Sequence, residues 1–175
     1  MLTNETIMNN VTWEEDITQQ IPRLRRYARA LTKNSTSADD LVQDCLERAW
    51  SKRDTWIEGN NLRAWLFTIM HNCFINGIRK QKRHDDYVNQ ISIPTLSHEN
   101  NKQHIMHDLQ TCLNQLKPES REVILLAGLE NLSYKEISQI TGAPIGTVMS
   151  RLSRGREELR RLMTEPNKPK LVSVK

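Results

Sequence analysis

The chain has 175 residues, with 25 Lys and Arg against 21 Asp and Glu and 37% hydrophobic content. That is enough for one ordinary domain or two small ones, and it excludes a large multi-domain enzyme. The longest apolar run, Val123 to Leu129, already includes Gly128 and is too short to cross a bilayer. Met1 to Asn10 has no basic start and no apolar stretch of a secretory signal, so no membrane insertion and a cytoplasmic location are expected.

Six Gly, six Pro and a 26% charged share lean toward an all-α protein. Helical apolar spacing runs from about Trp13 to Ile78 and again from about Leu109 to Leu162. Two small helical domains, 13–85 and 108–163, are therefore expected. Between them lies a flexible linker, 86–107, rich in Asn, Ser and His and broken by Pro94. Residues 1–12 and the Pro- and Lys-rich 164–175 are expected to be disordered.

In the first domain the spacing predicts a helix over Ile21–Leu31, with Pro22 in its first turn and Arg23, Arg25, Arg26 and Arg29 on polar positions. Asn34-Ser35-Thr36-Ser37 offers cap residues, and Asp39 and Asp40 favour the N-terminus of the next helix. In that helix Leu41, Cys45 and Ala49 form one apolar row and Val42, Leu46 and Trp50 the next. Asp40, Gln43, Asp44, Glu47 and Arg48 are left on a mainly acidic outer face. A third helix, from about Leu62 to Lys82, should bury Leu62, Trp65, Leu66, Ile69, Met70 and Cys73. It ends in Arg79-Lys80-Gln81-Lys82-Arg83, a basic cluster that would offset the helix dipole.

In the second domain Leu109, Leu113 and Leu116 make a short stripe, and Pro118 opens a helix that turns Val123, Ile124, Leu126 and Ala127 inward. Ser133-Tyr134-Lys135-Glu136 reads as a capping box. The helix it starts buries Ile137 and Ile140 and stops at Gly142. A last helix follows Gly142-Ala143-Pro144, with Val148, Leu152, Leu159 and Leu162 apolar. Two helices joined by so short a glycine-bearing turn form a helix-turn-helix, whose second helix can enter a DNA major groove. Its remaining positions, Thr147, Met149, Ser150, Arg151, Ser153, Arg154 and Arg156, suit a polyanion. Taken alone, the same pattern also describes an amphipathic helix with a solvated basic face.

No glycine-rich phosphate loop, metalloprotease motif or nucleophile elbow is present, and Asp39-Asp40 and Asp44 with Glu47, on one exposed helical face, read as a solvated or docking surface rather than a general acid and base, so no enzyme and no cofactor are expected. Cys45, Cys73 and Cys112 read as reduced core residues. His71 with Cys73, or His104 with His107 and Cys112, lacks the second tight pair that a metal site needs.

Asp39-Asp40-Leu41-Val42-Gln43-Asp44, Arg63-Ala64-Trp65-Leu66-Phe67 and Ile145-Gly146-Thr147-Val148-Met149-Ser150-Arg151-Leu152 occur in an order and spacing that resembles the compact extracytoplasmic-function group of bacterial RNA polymerase sigma factors. The likeness covers about Ile21 to Leu162. It implies a region 2 domain and a region 4 domain, with core RNA polymerase (its β and β′ subunits), promoter DNA and a cognate anti-sigma factor as partners. Asp40, Gln43, Asp44, Glu47 and Arg48 would dock on the clamp of the largest subunit. Trp56, Asn72, Arg79, Lys80, Lys82 and Arg83 would open and hold the minus-ten element, with Asn72 near the extruded base and Trp65 in the core. Thr147, Met149, Ser150, Arg151, Ser153 and Arg154 would read the minus-thirty-five element. Met149 stands where the family often has Lys or Arg, which shifts base reading onto Arg151, Ser153 or Arg154. A stand-alone helix-turn-helix regulator, or a sigma mimic that binds an anti-sigma factor, are the alternatives.

Overall fold

The computed structural model describes residues 4–32, 34–57, 60–88 and 104–164. Seven α-helices follow in chain order: α1 (Asn4–Leu31), α2 (Ser35–Ser51), α3 (Leu62–Val88), α4 (His104–Gln115), α5 (Pro118–Gly128), α6 (Tyr134–Thr141) and α7 (Ile145–Thr164). A single 3-10 turn at Arg53–Thr55 stands between α2 and α3. No strand occurs among the described residues, and none of these helices is long and apolar enough to cross a membrane.

α1 starts well before Ile21, and Pro22 lies inside it rather than in a first turn. Its segment 4–12, expected to be disordered, is helical. Neither Gly nor Pro interrupts Asn4–Gln20, so nothing local stops the helix there. Pro22 costs the bond that its nitrogen would have donated to the Thr18 carbonyl. Burial of Ile17, Leu24, Tyr27, Ala28 and Leu31 outweighs that loss. Residues 1–3 and the tail 165–175 lie outside the described residues, and α7 ends at Thr164.

The N-cap of α2 is Asn34, whose Oδ1 accepts from the Ser37 N–H at 2.7 Å. Asp39 and Asp40 lie past the first turn and do not serve as its dipole-facing acids. Leu41, Val42, Cys45 and Ala49 are buried as the spacing predicts, but Trp50 is 53% exposed and meets Trp13 edge-on at 5.5 Å. It sits in the last turn of α2. α3 runs on to Val88, because no helix breaker follows Gly77 before Pro94. The basic run Arg79–Arg83 therefore lies inside α3, not at its terminus, and the dipole does not account for it. With α3 reaching Val88 and α4 starting at His104, helix occupies both ends of the expected linker; 89–103 lies outside the described residues.

α4 to α7 make the second lobe. Gly155 of α7 is buried where α7 crosses α5, and a Cβ there would stand 2.8 Å from Ile124 Cδ1. The two lobes pack together, and one apolar cluster runs from Ile17 through Leu66 and Val123 to Leu152. Their seam holds charges that the helical periodicity does not announce. Arg121, Glu122 and Glu130 are 4%, 2% and 3% exposed. Arg121 donates to the carbonyls of Leu31, Leu113, Asn114 and Leu116. His71 Nδ1 lies 2.7 Å from Glu122 Oε1, and Arg26 Nη2 lies 2.9 Å from Glu130 Oε1.

Candidate nucleic-acid interface

Three surfaces carry the sequence-predicted residues. On α2, Asp40, Gln43, Asp44 and Glu47 are exposed, and Gln43 Nε2 donates to Glu47 Oε1 at 2.9 Å. Arg48 is only half-buried solvent-side, because its Nη1 turns inward to Cys73 Sγ at 3.0 Å. Four of the five predicted residues thus share the outer face, and the fifth ties α2 to α3.

The second surface is α3. Asn72, Arg79, Lys80 and Arg83 are exposed. Positions 65, 72, 76, 79 and 83 fall on one helical face by the 3.6-residue period. Trp56, in the loop before α3, packs on Trp65 with ring centroids 5.4 Å apart. The half-buried Trp65 is therefore not plain core: with Trp56 it forms an aromatic wall at the N-terminal end of the Asn72–Arg83 row. Such a row offers stacking, amide edges and cations in sequence, which is what captured bases and phosphates need. Asn76, exposed on the same row, is a member the sequence reading left out; its i+4 spacing from Asn72 was the available signal. Of Lys82 only the backbone position, within α3, is described.

The third surface is the helix-turn-helix. Ser133 and Glu136 close the expected capping box: the Ser133 N–H donates to Glu136 Oε2 at 2.8 Å, and the Glu136 N–H donates to Ser133 Oγ at 3.3 Å. The Ser133 hydroxyl, which donates to Glu136 Oε2 at 2.7 Å, and then the Ser133 N–H hold the Glu136 carboxyl below its ordinary value. Gly142 takes φ +66°, the left-handed conformation that ends α6 without a Cβ penalty. α7 then buries Val148, Leu152 and Gly155. Ser153 and Arg154 point to solvent. Met149, 52% exposed, lies with Tyr134, Ser153, Arg156 and Arg160 along a shallow groove of about 480 Å³ between α6 and α7. Thr147, Ser150 and Arg151 are half-buried, and the Ser150 hydroxyl is spent on the Thr147 carbonyl at 3.0 Å. Among the other predicted donors on α7, Ser153 and Arg154 are exposed and Thr147 and Arg151 are half-buried.

Family models match both halves: the sigma2 domain of PhyR over residues 17–71, and sigma-70 region 4 over 106–159. The chain is 36% identical over 151 residues to the ECF RNA polymerase sigma factor EcfG of Rhodopseudomonas palustris, covering 85% of this chain and 83% of that protein. The chain belongs to the extracytoplasmic-function group of RNA polymerase sigma factors. It is also 33% identical to the sigma factor SigE of Mycolicibacterium smegmatis, covering 85% of this chain and 60% of that longer protein. Among solved structures, the sigma factor RpoE of Bartonella quintana, in complex with the anti-sigma factor NepR, superposes with a TM-score of 0.78 at 34% identity. That match covers 89% of this chain and 99% of that one.

The sigma2 match falls within α1 to α3 and the region 4 match within α4 to α7. The cysteines sit inside this frame as free thiols: Cys45 is fully buried and burial pushes its thiol up to about 12, while burial also raises Cys73. Among the described residues no three His, Cys, Asp or Glu side chains converge as a metal site would require.

Proposed function

We propose that this sigma factor binds core RNA polymerase through the outer face of α2 and directs it to promoters. Asp40, Gln43, Asp44, Glu47 and Arg48 would make the docking surface. Trp56, Asn72, Arg79, Lys80, Lys82 and Arg83 would hold the opened minus-ten element. Thr147, Met149, Ser150, Arg151, Ser153 and Arg154 would lie over the minus-thirty-five element, with Ser153 and Arg154 carrying most of the polar readout. The chain would contribute no catalytic group; nucleotide transfer belongs to the polymerase. It would act in the cytoplasm and be held in check by an anti-sigma factor, as the RpoE neighbour is seen bound to NepR.

The observation that carries this reading is the capped α6, left-handed Gly142 and exposed Arg154 of the helix-turn-helix, joined to a first lobe whose α2 offers an acidic face. An acidic face repels DNA, so its partner is a protein. Run-off transcription with purified core polymerase tests the reading: promoter-dependent transcripts should appear only when this chain is added.

A sigma mimic is the second reading, favoured by the match of residues 17–71 to the PhyR sigma2 domain. A mimic would bind an anti-sigma factor and leave core polymerase inactive in the same assay.

A further inference from the structure

The outer face of α2 does not end at its charged residues. Asp40, Gln43, Glu47 and Trp50 follow one another at i, i+3, i+7 and i+10, which places them within about 80° of arc on the side of α2 opposite the buried Leu41, Cys45 and Ala49. Trp50, one turn beyond Glu47, is 53% exposed, and its indole N–H donates to no described residue. An open tryptophan of this kind joins a large apolar body to a free polar tip, and such side chains are enriched among the energetic anchors of protein interfaces.

The Trp50 ring is held from two sides. Trp13 of α1 meets it edge-on, with centroids 5.5 Å apart and planes at 66°, and Arg53 Cζ lies 5.7 Å from its centroid. Trp13 is itself half-buried against the hydrophobic core, so the contact starts from a fixed base. A ring fixed in this way loses little rotamer freedom when a partner covers it. Trp13 lies in the N-terminal part of α1, ahead of residue 17 where the sigma2 match begins. Glu14, Glu15 and Asp16 on α1 and Glu47 on α2, each within three residues of the aromatic pair, are exposed. A partner surface with cations around an apolar socket complements both the acids and the ring.

We propose that Trp50 is the apolar anchor of the polymerase-docking face of α2, and that Trp13 in α1 is the residue that positions it. The occupant is a surface of core polymerase that offers an apolar socket bordered by cations. This rests on the docking reading of α2, and it adds two residues outside the five assigned to that face, one of them on another helix. The two parts of the face divide the work. The carboxylates steer approach and weaken with salt, whereas the buried tryptophan holds the docked state and does not.

Biolayer interferometry of the full chain on immobilised core polymerase, over a range of salt, reads each part. Trp50→Ala should weaken binding about thirtyfold, chiefly through faster dissociation, and keep the salt dependence of the parent. Asp44→Lys/Glu47→Lys should lose affinity and flatten the salt dependence as well. Trp13→Ala should weaken the parent about fivefold but cost nothing further in the Trp50→Ala background, and Trp13→Phe, which keeps an aromatic edge, should bind like the parent. A folding defect from Trp13→Ala would instead act alike in both backgrounds. Parent-like binding by a folded Trp50→Ala overturns the anchor, and a Trp13→Ala loss undiminished in the Trp50→Ala background overturns the positioning role. Should Trp50→Ala fail to fold, Trp50→Gln carries the same test with the same expected loss. If Asp44→Lys/Glu47→Lys weakens binding and Trp50→Ala does not, this proposal falls and the docking reading stands; if neither weakens it, both fall.

Discussion

The guanidinium of Arg121 in α5 donates from Nη1 to the carbonyl oxygen of Leu31, the last residue of α1, at 2.8 Å. The same side chain donates to Leu113, Asn114 and Leu116 at the end of α4. A single cation therefore closes the C-terminal carbonyls of two helices from different lobes, where both helix dipoles favour positive charge. Replacing it with alanine leaves several buried carbonyls unpaired. Arg121→Ala should cost about 3 kcal/mol or more in urea unfolding, and Arg121→Lys should recover only part of this because an ammonium cannot fan out to four acceptors.

The α6 cap should show itself in pH dependence. Bonds to Ser133 lower the Glu136 carboxyl from its ordinary 4.5 in the folded state. A depressed acid contributes stability that is complete above the unfolded value and is lost as pH falls through the folded one. Glu136→Ala should therefore lower the thermal midpoint at neutral pH, by an amount equivalent to at most about 1 kcal/mol given its exposure. The gap from the parent should close as the pH is taken below 4.5. A gap independent of pH would mean that the carboxylate does not act as a cap.

Gly155 is required by proximity, not by backbone conformation. An alanine methyl would meet Ile124 Cδ1 at 2.8 Å and Ser120 Cβ at 3.2 Å. Gly155→Ala gains about 1 kcal/mol of helix propensity and loses it to this contact, whereas Gly155→Leu should destabilise by about 1–3 kcal/mol. Removing the Ile124 Cδ1 atom with Ile124→Val should uncover the propensity gain. The double-mutant cycle should return a favourable coupling of about 1 kcal/mol.

Cys45 and Cys73 should resist thiol reagents in the folded protein. Both are buried, and burial holds the reactive thiolate form of each down. Their labelling by an aromatic disulfide reagent at neutral pH should follow the rate of unfolding, and fast labelling of the native chain would show that the α2–α3 packing opens locally.

Features written into neighbouring residues were legible in the sequence. The buried row of Leu41, Cys45 and Ala49, the Ser133–Glu136 box and the stop at Gly142 depend on partners within a turn, which the helical period displays directly. Pro22 misled because local preference placed it in a first turn, while the core contacts of Leu24, Tyr27 and Leu31 carry the helix through it. The seam was illegible for a different reason. Glu130 pairs with Arg26 across 104 residues and Glu122 with His71 across 51, and no periodicity links positions so far apart. Glu122 is covered from α3 of the other lobe, and Arg121 by carbonyls at the ends of α4 and α1, which come together only after folding. Trp56 against Trp65 was hidden for another reason: the loop between them has no helical period, and loop and helix meet only after folding.

The central claim is that α2 engages polymerase while α7 reads an upstream promoter element. Promoter-dependent transcription with purified core polymerase, on templates randomised across the upstream element, tests it for the parent, the Asp44→Lys/Glu47→Lys variant and Arg154→Ala. The parent should select a defined upstream sequence. The double reversal should abolish transcription on every template while helicity stays intact, because both residues are exposed on α2. Arg154→Ala should cost about 1–3 kcal/mol and relax one upstream position if it reads a base, or weaken all templates alike if it meets phosphate. Undiminished transcription by the double reversal, together with an unchanged selected sequence for Arg154→Ala, would contradict the account.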